Sequence, residues 1–217
     1  MSKLLIIEDI SNSARMIQKQ FELINACFSK ENSFWLCKNN NNISIKKIND
    51  LENQTENTIF SNEDLDDIKL SLKKFIKDYE KETILILIDF LLISKDVSSP
   101  TLLSYIEKGE FSGDLYKYII SLRNGLDSEL KTENLFTLIY SRGETFLSIL
   151  SEFLKHETDE SDKYFFMESC EPEYITWEIS RYDEIIGETD PSALQPGSIF
   201  PLDLPEEYIE FFKSITK

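Results

Sequence analysis

The chain has 217 residues, of which 41% are apolar and 12% aromatic, so it can bury a sizeable core, and we predict one domain over residues 1–217. Its 23 basic and 40 acidic residues give a net charge of -17, which argues against nucleic acid and anionic membranes as partners. The apolar stretch after Met1 runs only from Leu4 to Ile7, too short for a signal peptide or a membrane span, so we expect a cytoplasmic protein.

Strand-like and helix-like patterns alternate along the chain, which is typical of an α/β protein. The first predicted strand covers residues 3–7 and is followed at once by two acids, Glu8 and Asp9. Apolar residues then recur at helical spacing, which predicts a helix with Ser11 or Asn12 as its N-cap.

The middle of the chain continues this alternation. A short second strand at 33–37 precedes an asparagine-rich and mixed polar stretch that reaches residue 62 and is predicted to be a loop. An amphipathic helix at 63–82 leads to a third strand at 83–89, which is apolar until it ends on Asp89. This strand, like the first, ends on an acid.

The last part of the chain gives a further set of elements. A loop is predicted at 94–100, a helix begins at Ser112, and a fourth strand runs from Leu135 to Ser141. The remaining predictions are a helix at 144–154, a fifth strand at 163–167 and a closing helix at 206–215.

Acidic residues that follow buried strands indicate a functional edge of the sheet. Open parallel sheets bind ligands beyond the carboxyl ends of their strands, where the strand order reverses. If the first and third strands flank that point, Glu8, Asp9 and Asp89 converge in one acidic pocket. The alternative is structural, with Glu8 and Asp9 favouring the start of the next helix and Asp89 bonded to backbone amides.

Four segments in this order resemble the receiver domain of bacterial response regulators: residues 5–17 with Glu8 and Asp9, Leu-Ile-Asp89, 113–119 from Gly113, and Leu-Ile-Tyr-Ser141. The resemblance implies an α/β fold with a doubly wound, five-stranded parallel sheet of flavodoxin-like order 2-1-3-4-5. Relative to that pattern, insertions lie at about 38–62, 92–112 and 173–204, and the last is predicted to form an extra strand or an extra C-terminal lobe.

The resemblance also implies roles for individual residues. Asp89 is the phosphoacceptor, Glu8 and Asp9 hold Mg2+ together with Asp89, and the hydroxyl of Ser141 contacts the phosphoryl group. The implied protein is a signalling protein of a phosphorelay and not an enzyme. Its partners are a histidine kinase or phosphotransfer protein and a downstream effector, and homodimerisation is left open.

The sequence departs from the receiver pattern at the fifth strand. The family ends this strand with Lys-Pro, and its lysine pairs with the phosphorylated aspartate. Here Glu171 precedes Pro172, so an anion replaces the cation. Lys163 begins this strand, at the opposite end of the sheet, and Arg142 beside Ser141 is an alternative cation that does not match the motif.

Two alternative functions follow from this departure and from the acids. The first is a degenerate receiver that keeps the fold and acts as a phosphorylation-independent protein interaction module. The second is a metal-dependent hydrolase, which the sequence disfavours because the lone histidine, His156, lies in a charged stretch that resembles a solvated loop.

Overall fold

The computed structural model describes residues 2–39, 42–51, 58–89, 92, 102–123, 134–141, 176–178 and 206–214. Its centre is a six-stranded sheet in the order β3-β2-β1-β4-β5-β6. The strands are β1 Ser2–Ile7, β2 Ser33–Asn39, β3 Asn42–Lys47, β4 Thr83–Asp89, β5 Leu135–Ser141 and β6 Thr176–Glu178. The predicted α/β class with a mostly parallel sheet is therefore confirmed.

The edge strand β3 corrects the prediction of a loop after residue 37. It pairs antiparallel with β2, whereas the other neighbouring strands pair parallel. Ile43 and Ile45 alternate with polar residues, and both pack on the buried core, which stabilises a strand in an otherwise polar segment. The sheet thus has six strands and not the predicted five. If β3 is left out and the five parallel strands are numbered in chain order, their order across the sheet is 2-1-3-4-5.

The strand beside β5 also differs from the predicted one. β6 at Thr176–Glu178 occupies this position, within the segment predicted to form an extra strand or a lobe. The predicted strand at 163–167 and the predicted helix at 144–154 lie outside the described residues. Both candidate strand segments are rich in aromatic and β-branched residues, so local propensity alone does not select between them.

The described helices cover both faces of the sheet. They are α1 Ser11–Ile24, α2 Leu65–Asp78, α3 Leu102–Arg123 and α4 Glu206–Ser214, with 3-10 turns at Ala26–Phe28, Lys30–Asn32, Ile48–Asp50 and Asn62–Asp64. No helix in these ranges is long and apolar enough to cross a lipid bilayer.

Two helix starts differ from the predictions. Ile10 is the N-cap of α1 and gives no side-chain cap, so Ser11 and Asn12 are its first helical residues and not its caps. Helix α3 begins ten residues before the predicted start at Ser112 and runs through Gly113. An interior glycine costs a helix only about 1 kcal/mol, which the buried packing of the helix outweighs.

The sheet separates two layers of buried side chains. Even-numbered residues of β1, such as Leu4 and Ile6, contact the layer that contains α1 and α4. Odd-numbered residues, such as Leu5 and Ile7, contact the layer that contains α2 and α3. This alternation is the ordinary period of a strand, and it places helices on both faces of β1.

A partly buried ion pair connects β2 to the start of α2. Asp64 Oδ2 lies 2.7 Å from Lys38 Nζ and accepts hydrogen bonds from the backbone N–H and hydroxyl of Ser61. Burial alone would raise the pKa of Asp64, but these hydrogen bonds and the charge of Lys38 together lower the pKa below its ordinary value. The ionised form of Asp64 therefore stabilises the fold.

We expect Asp64→Asn to lower the free energy of unfolding by about 2 kcal/mol at neutral pH, because it removes the charged partner of Lys38. Urea denaturation measures the effect, and Asp67→Asn is the matched control because Asp67 is exposed in the same helical turn. Since the pKa of Asp64 is lower in the folded state, its contribution is complete above the ordinary aspartate pKa and is lost as the pH falls through the folded value. A difference between variant and wild type that persisted unchanged in acid would contradict this account.

Candidate functional site

The three acids predicted to converge do converge. Glu8, Asp9 and Asp89 each offer a carboxylate oxygen, and these oxygens lie within 4.8 Å of one another. The register of the sheet explains this, because Ile7 of β1 pairs with Ile88 of β4. Continuing that register by one residue places Glu8 opposite Asp89, and the parallel direction of the strands brings both acids to the same edge.

The acids lie where the connections of the sheet diverge. From β1 the chain passes through α1 to β2 on one side, and β4 lies on the other side of β1. Helix α1 contacts one face of the sheet, whereas α2 and α3 contact the opposite face. Divergent connections of this kind leave a crevice at the carboxyl edge of a parallel sheet, which is the usual place for a ligand.

Burial strengthens the electrostatic repulsion among the three carboxylates of this cluster. Glu8 is fully buried, Asp89 is 4% exposed and Asp9 is half-buried. The Oε1 atom of Glu8 is buried and accepts no hydrogen bond from the described residues, although Glu8 has other interactions. Carboxylates crowded in a site with little water repel one another, and a hard divalent cation with oxygen ligands relieves that repulsion. The donor set therefore fits Mg2+.

Each of the three acids has its backbone carbonyl held by a donor from a different part of the chain. The indole Nε1 of Trp35 donates to the Glu8 carbonyl at 2.7 Å. The backbone N–H of Thr58 donates to the Asp9 carbonyl at 2.6 Å, and the Ser112 hydroxyl donates to the Asp89 carbonyl at 2.8 Å. These three donors were not predicted, because no local pattern in the sequence connects them to the acids.

Ser141 ends β5 next to the acidic cluster in the sheet. Asp89 pairs with Tyr140, so Ser141 is one residue beyond Asp89 in the register of the two strands. On its other side, the backbone of Ser141 pairs with Glu178 of β6. An acid therefore lies at the end of the strand that neighbours β5.

Five residues of interest in the sequence lie outside the described part of the chain, namely Glu171, Pro172, Arg142, Lys163 and His156. The replacement of the lysine by Glu171 is therefore still a prediction. Glu178, which no motif in the sequence marked as a candidate, is the acid whose backbone the sheet pairs with Ser141.

The chain was compared with models of known protein families, with curated proteins and with solved structures, and it matches none of them. The functional assignment therefore depends on the residues of the site and on their geometry.

Proposed function

We propose that this protein is a receiver-like signalling protein that accepts a phosphoryl group on Asp89 in the presence of Mg2+. The observation that carries the proposal is the convergence of Glu8, Asp9 and Asp89 at the carboxyl edge of β1 and β4. Three carboxylates next to a strand-end hydroxyl residue, Ser141, match the receiver pattern in both residue type and position along the chain.

The arrangement of the layers supports the same reading. Apart from β3, the strands are parallel and follow the order expected for a flavodoxin-like receiver. The final helix α4 packs beside α1, and the rings of Phe212 and Phe21 lie 5.1 Å apart. A last helix next to the first, on the face opposite α2 and α3, is the doubly wound arrangement of that fold.

In the proposed reaction, a carboxylate oxygen of Asp89 attacks the phosphorus of a phosphohistidine or of a small phosphodonor. A new oxygen–phosphorus bond forms, the bond from phosphorus to the donor breaks, and the leaving group keeps the electron pair. Glu8, Asp9 and Asp89 would hold Mg2+, which supplies positive charge to the phosphoryl oxygens. The Ser141 hydroxyl would donate a hydrogen bond to the transferred group, as the resemblance implies.

The proposed partners are proteins. A histidine kinase or phosphotransfer protein would supply the phosphoryl group in the cytoplasm, and a downstream effector would recognise the phosphorylated form. The net charge of -17 disfavours nucleic acid as the direct target.

A second candidate is a degenerate receiver that acts as an interaction module without phosphoryl transfer. Glu178, whose backbone pairs with Ser141, favours this candidate, because an acid at the end of this strand opposes an incoming phosphoryl group, whereas a lysine would attract it. The 4% exposure of Asp89 favours it as well, since a phosphodonor must reach the carboxylate.

Intact-mass spectrometry after incubation with Mg2+ and phosphoramidate distinguishes the two candidates. We expect the wild-type protein to gain one phosphoryl group and Asp89→Asn to gain none, while Asp67→Asn gains the group like the wild type. A chelator should prevent the reaction, because the proposed transfer depends on the cation. If the folded wild type stays unmodified while a known receiver reacts in the same tube, the interaction module replaces the phosphoacceptor as the proposed function.

A further inference from the structure

Ser112 lies in the interior of α3, yet its hydroxyl is directed at a different element. The residue is fully buried, and its Oγ donates to the backbone carbonyl of Asp89 at the end of β4. Serine hydroxyls inside helices commonly bond to a carbonyl one turn back, as Ser121 does to Tyr118 at 2.7 Å in the same helix. The bond of Ser112 therefore connects α3 directly to the candidate site.

The surroundings of Ser112 strengthen this connection. Its neighbour Phe111 is 2% exposed and stacks on Phe60 with ring centroids 6.5 Å apart. Two residues before Phe60, the N–H of Thr58 binds the carbonyl of Asp9. Helix α3 and the segment around Phe60 are thus packed together, and each one holds the backbone of a different acid.

The bond from Ser112 has a direct consequence for Asp89. It restrains the backbone at the end of β4, and so it limits the directions in which the carboxylate can lie.

We propose that Ser112 is a positioning residue of the acidic site, which tunes both the affinity for Mg2+ and the selectivity for Mg2+ over Ca2+ without contacting the cation. Mg2+ requires a near-ideal octahedron of ligands, whereas Ca2+ accepts more oxygen ligands in flexible geometry. Releasing the Asp89 carbonyl leaves the Asp89 carboxylate less constrained, which favours Ca2+ relative to Mg2+. This inference rests on the proposed metal site and does not depend on phosphoryl transfer.

The test is calorimetric titration of the full chain with Mg2+ and, separately, with Ca2+. We expect Ser112→Ala to weaken Mg2+ binding about tenfold, as is common when a group that orients a metal ligand is removed, and to weaken Ca2+ binding less. Ser112→Thr keeps the hydroxyl and should restore most of the Mg2+ affinity. Ser121→Ala is the matched control, because it removes a hydroxyl bonded to a carbonyl within the same helix and should leave both affinities unchanged.

The possible results separate this inference from the metal site itself. If the wild type binds neither cation, both the metal site and the role of Ser112 are wrong. If the wild type binds Mg2+ and Ser112→Ala binds each cation as tightly as the wild type does, the metal site stands and the inference fails. An equal loss of affinity for Mg2+ and Ca2+ in the variant would also overturn the inference, because a general loosening of the fold has that effect. Should Ser112→Ala fail to fold, Ser112→Cys, with its weaker donor, permits the same comparison.

Discussion

Asp9→Asn is expected to have opposite effects on stability with and without Mg2+. In metal-free protein the variant should be more stable than the wild type by about 1 kcal/mol, because it removes one of three carboxylates that lie within 4.8 Å of one another. With Mg2+ at a hundredfold excess over its dissociation constant, the wild type should gain about 2.7 kcal/mol. The variant should lose most of that gain, so that the order of stability reverses.

Urea denaturation in a chelator and in Mg2+ measures both effects with the same protein preparations. Asp67→Asn is the control, since it removes an equal charge from an exposed position in α2 and should respond to Mg2+ like the wild type. A structural role for Asp9 predicts the opposite sign in chelator, because a carboxylate that favours the start of α1 stabilises the fold when it is charged. Destabilisation of the metal-free variant, with an unchanged response to Mg2+, would therefore rule out the cation site.

Phe212→Ala is expected to lower the free energy of unfolding by about 3 to 5 kcal/mol, the range for removing a fully buried phenylalanine. Phe212 of α4 has no exposed surface, and its ring packs edge to face on Phe21 of α1. Its backbone carbonyl also accepts a hydrogen bond from the Asn25 side chain at 3.0 Å. These contacts join the two ends of the chain.

Thermal and urea unfolding, followed by circular dichroism and by tryptophan fluorescence, test this prediction. Phe211→Ala is the graded control, because Phe211 is only partly buried against Phe136 and should cost about 1 to 2 kcal/mol. Both variants should unfold in one transition if residues 1–217 form the single domain that the sequence predicts. A cost below that of Phe211→Ala would show that α4 is not docked in solution.

Much of the architecture was predictable from local pattern. The limits of β4 and β5 match the predicted strands, and α2 and α4 lie within the predicted helices. In each case the apolar period continues over several residues and ends at polar residues. Such segments bury a face wherever they lie in the fold, so their type does not depend on distant parts of the chain.

The elements that were predicted wrongly depend on distant contacts. β3 exists because its two isoleucines reach a core built by other elements, and α3 begins before its predicted start, where Phe111 is buried against Phe60. The N-cap of α1 was wrong by one or two residues, as helix limits commonly are. Residue propensities carry no information on such partners.

The alternation of strands and helices, and the positions of Glu8, Asp9 and Asp89 after buried strands, were readable from the sequence. They were readable because hydrophobic periodicity is a local property of the chain. The pairing of β1 with β4, in the register that places Glu8 opposite Asp89, came from the tertiary structure alone. Only it revealed that Trp35, Thr58 and Ser112 hold the carbonyls of those acids. Strand order, register and side-chain donors arise from the packing of segments far apart in the chain, and no local pattern encodes that packing.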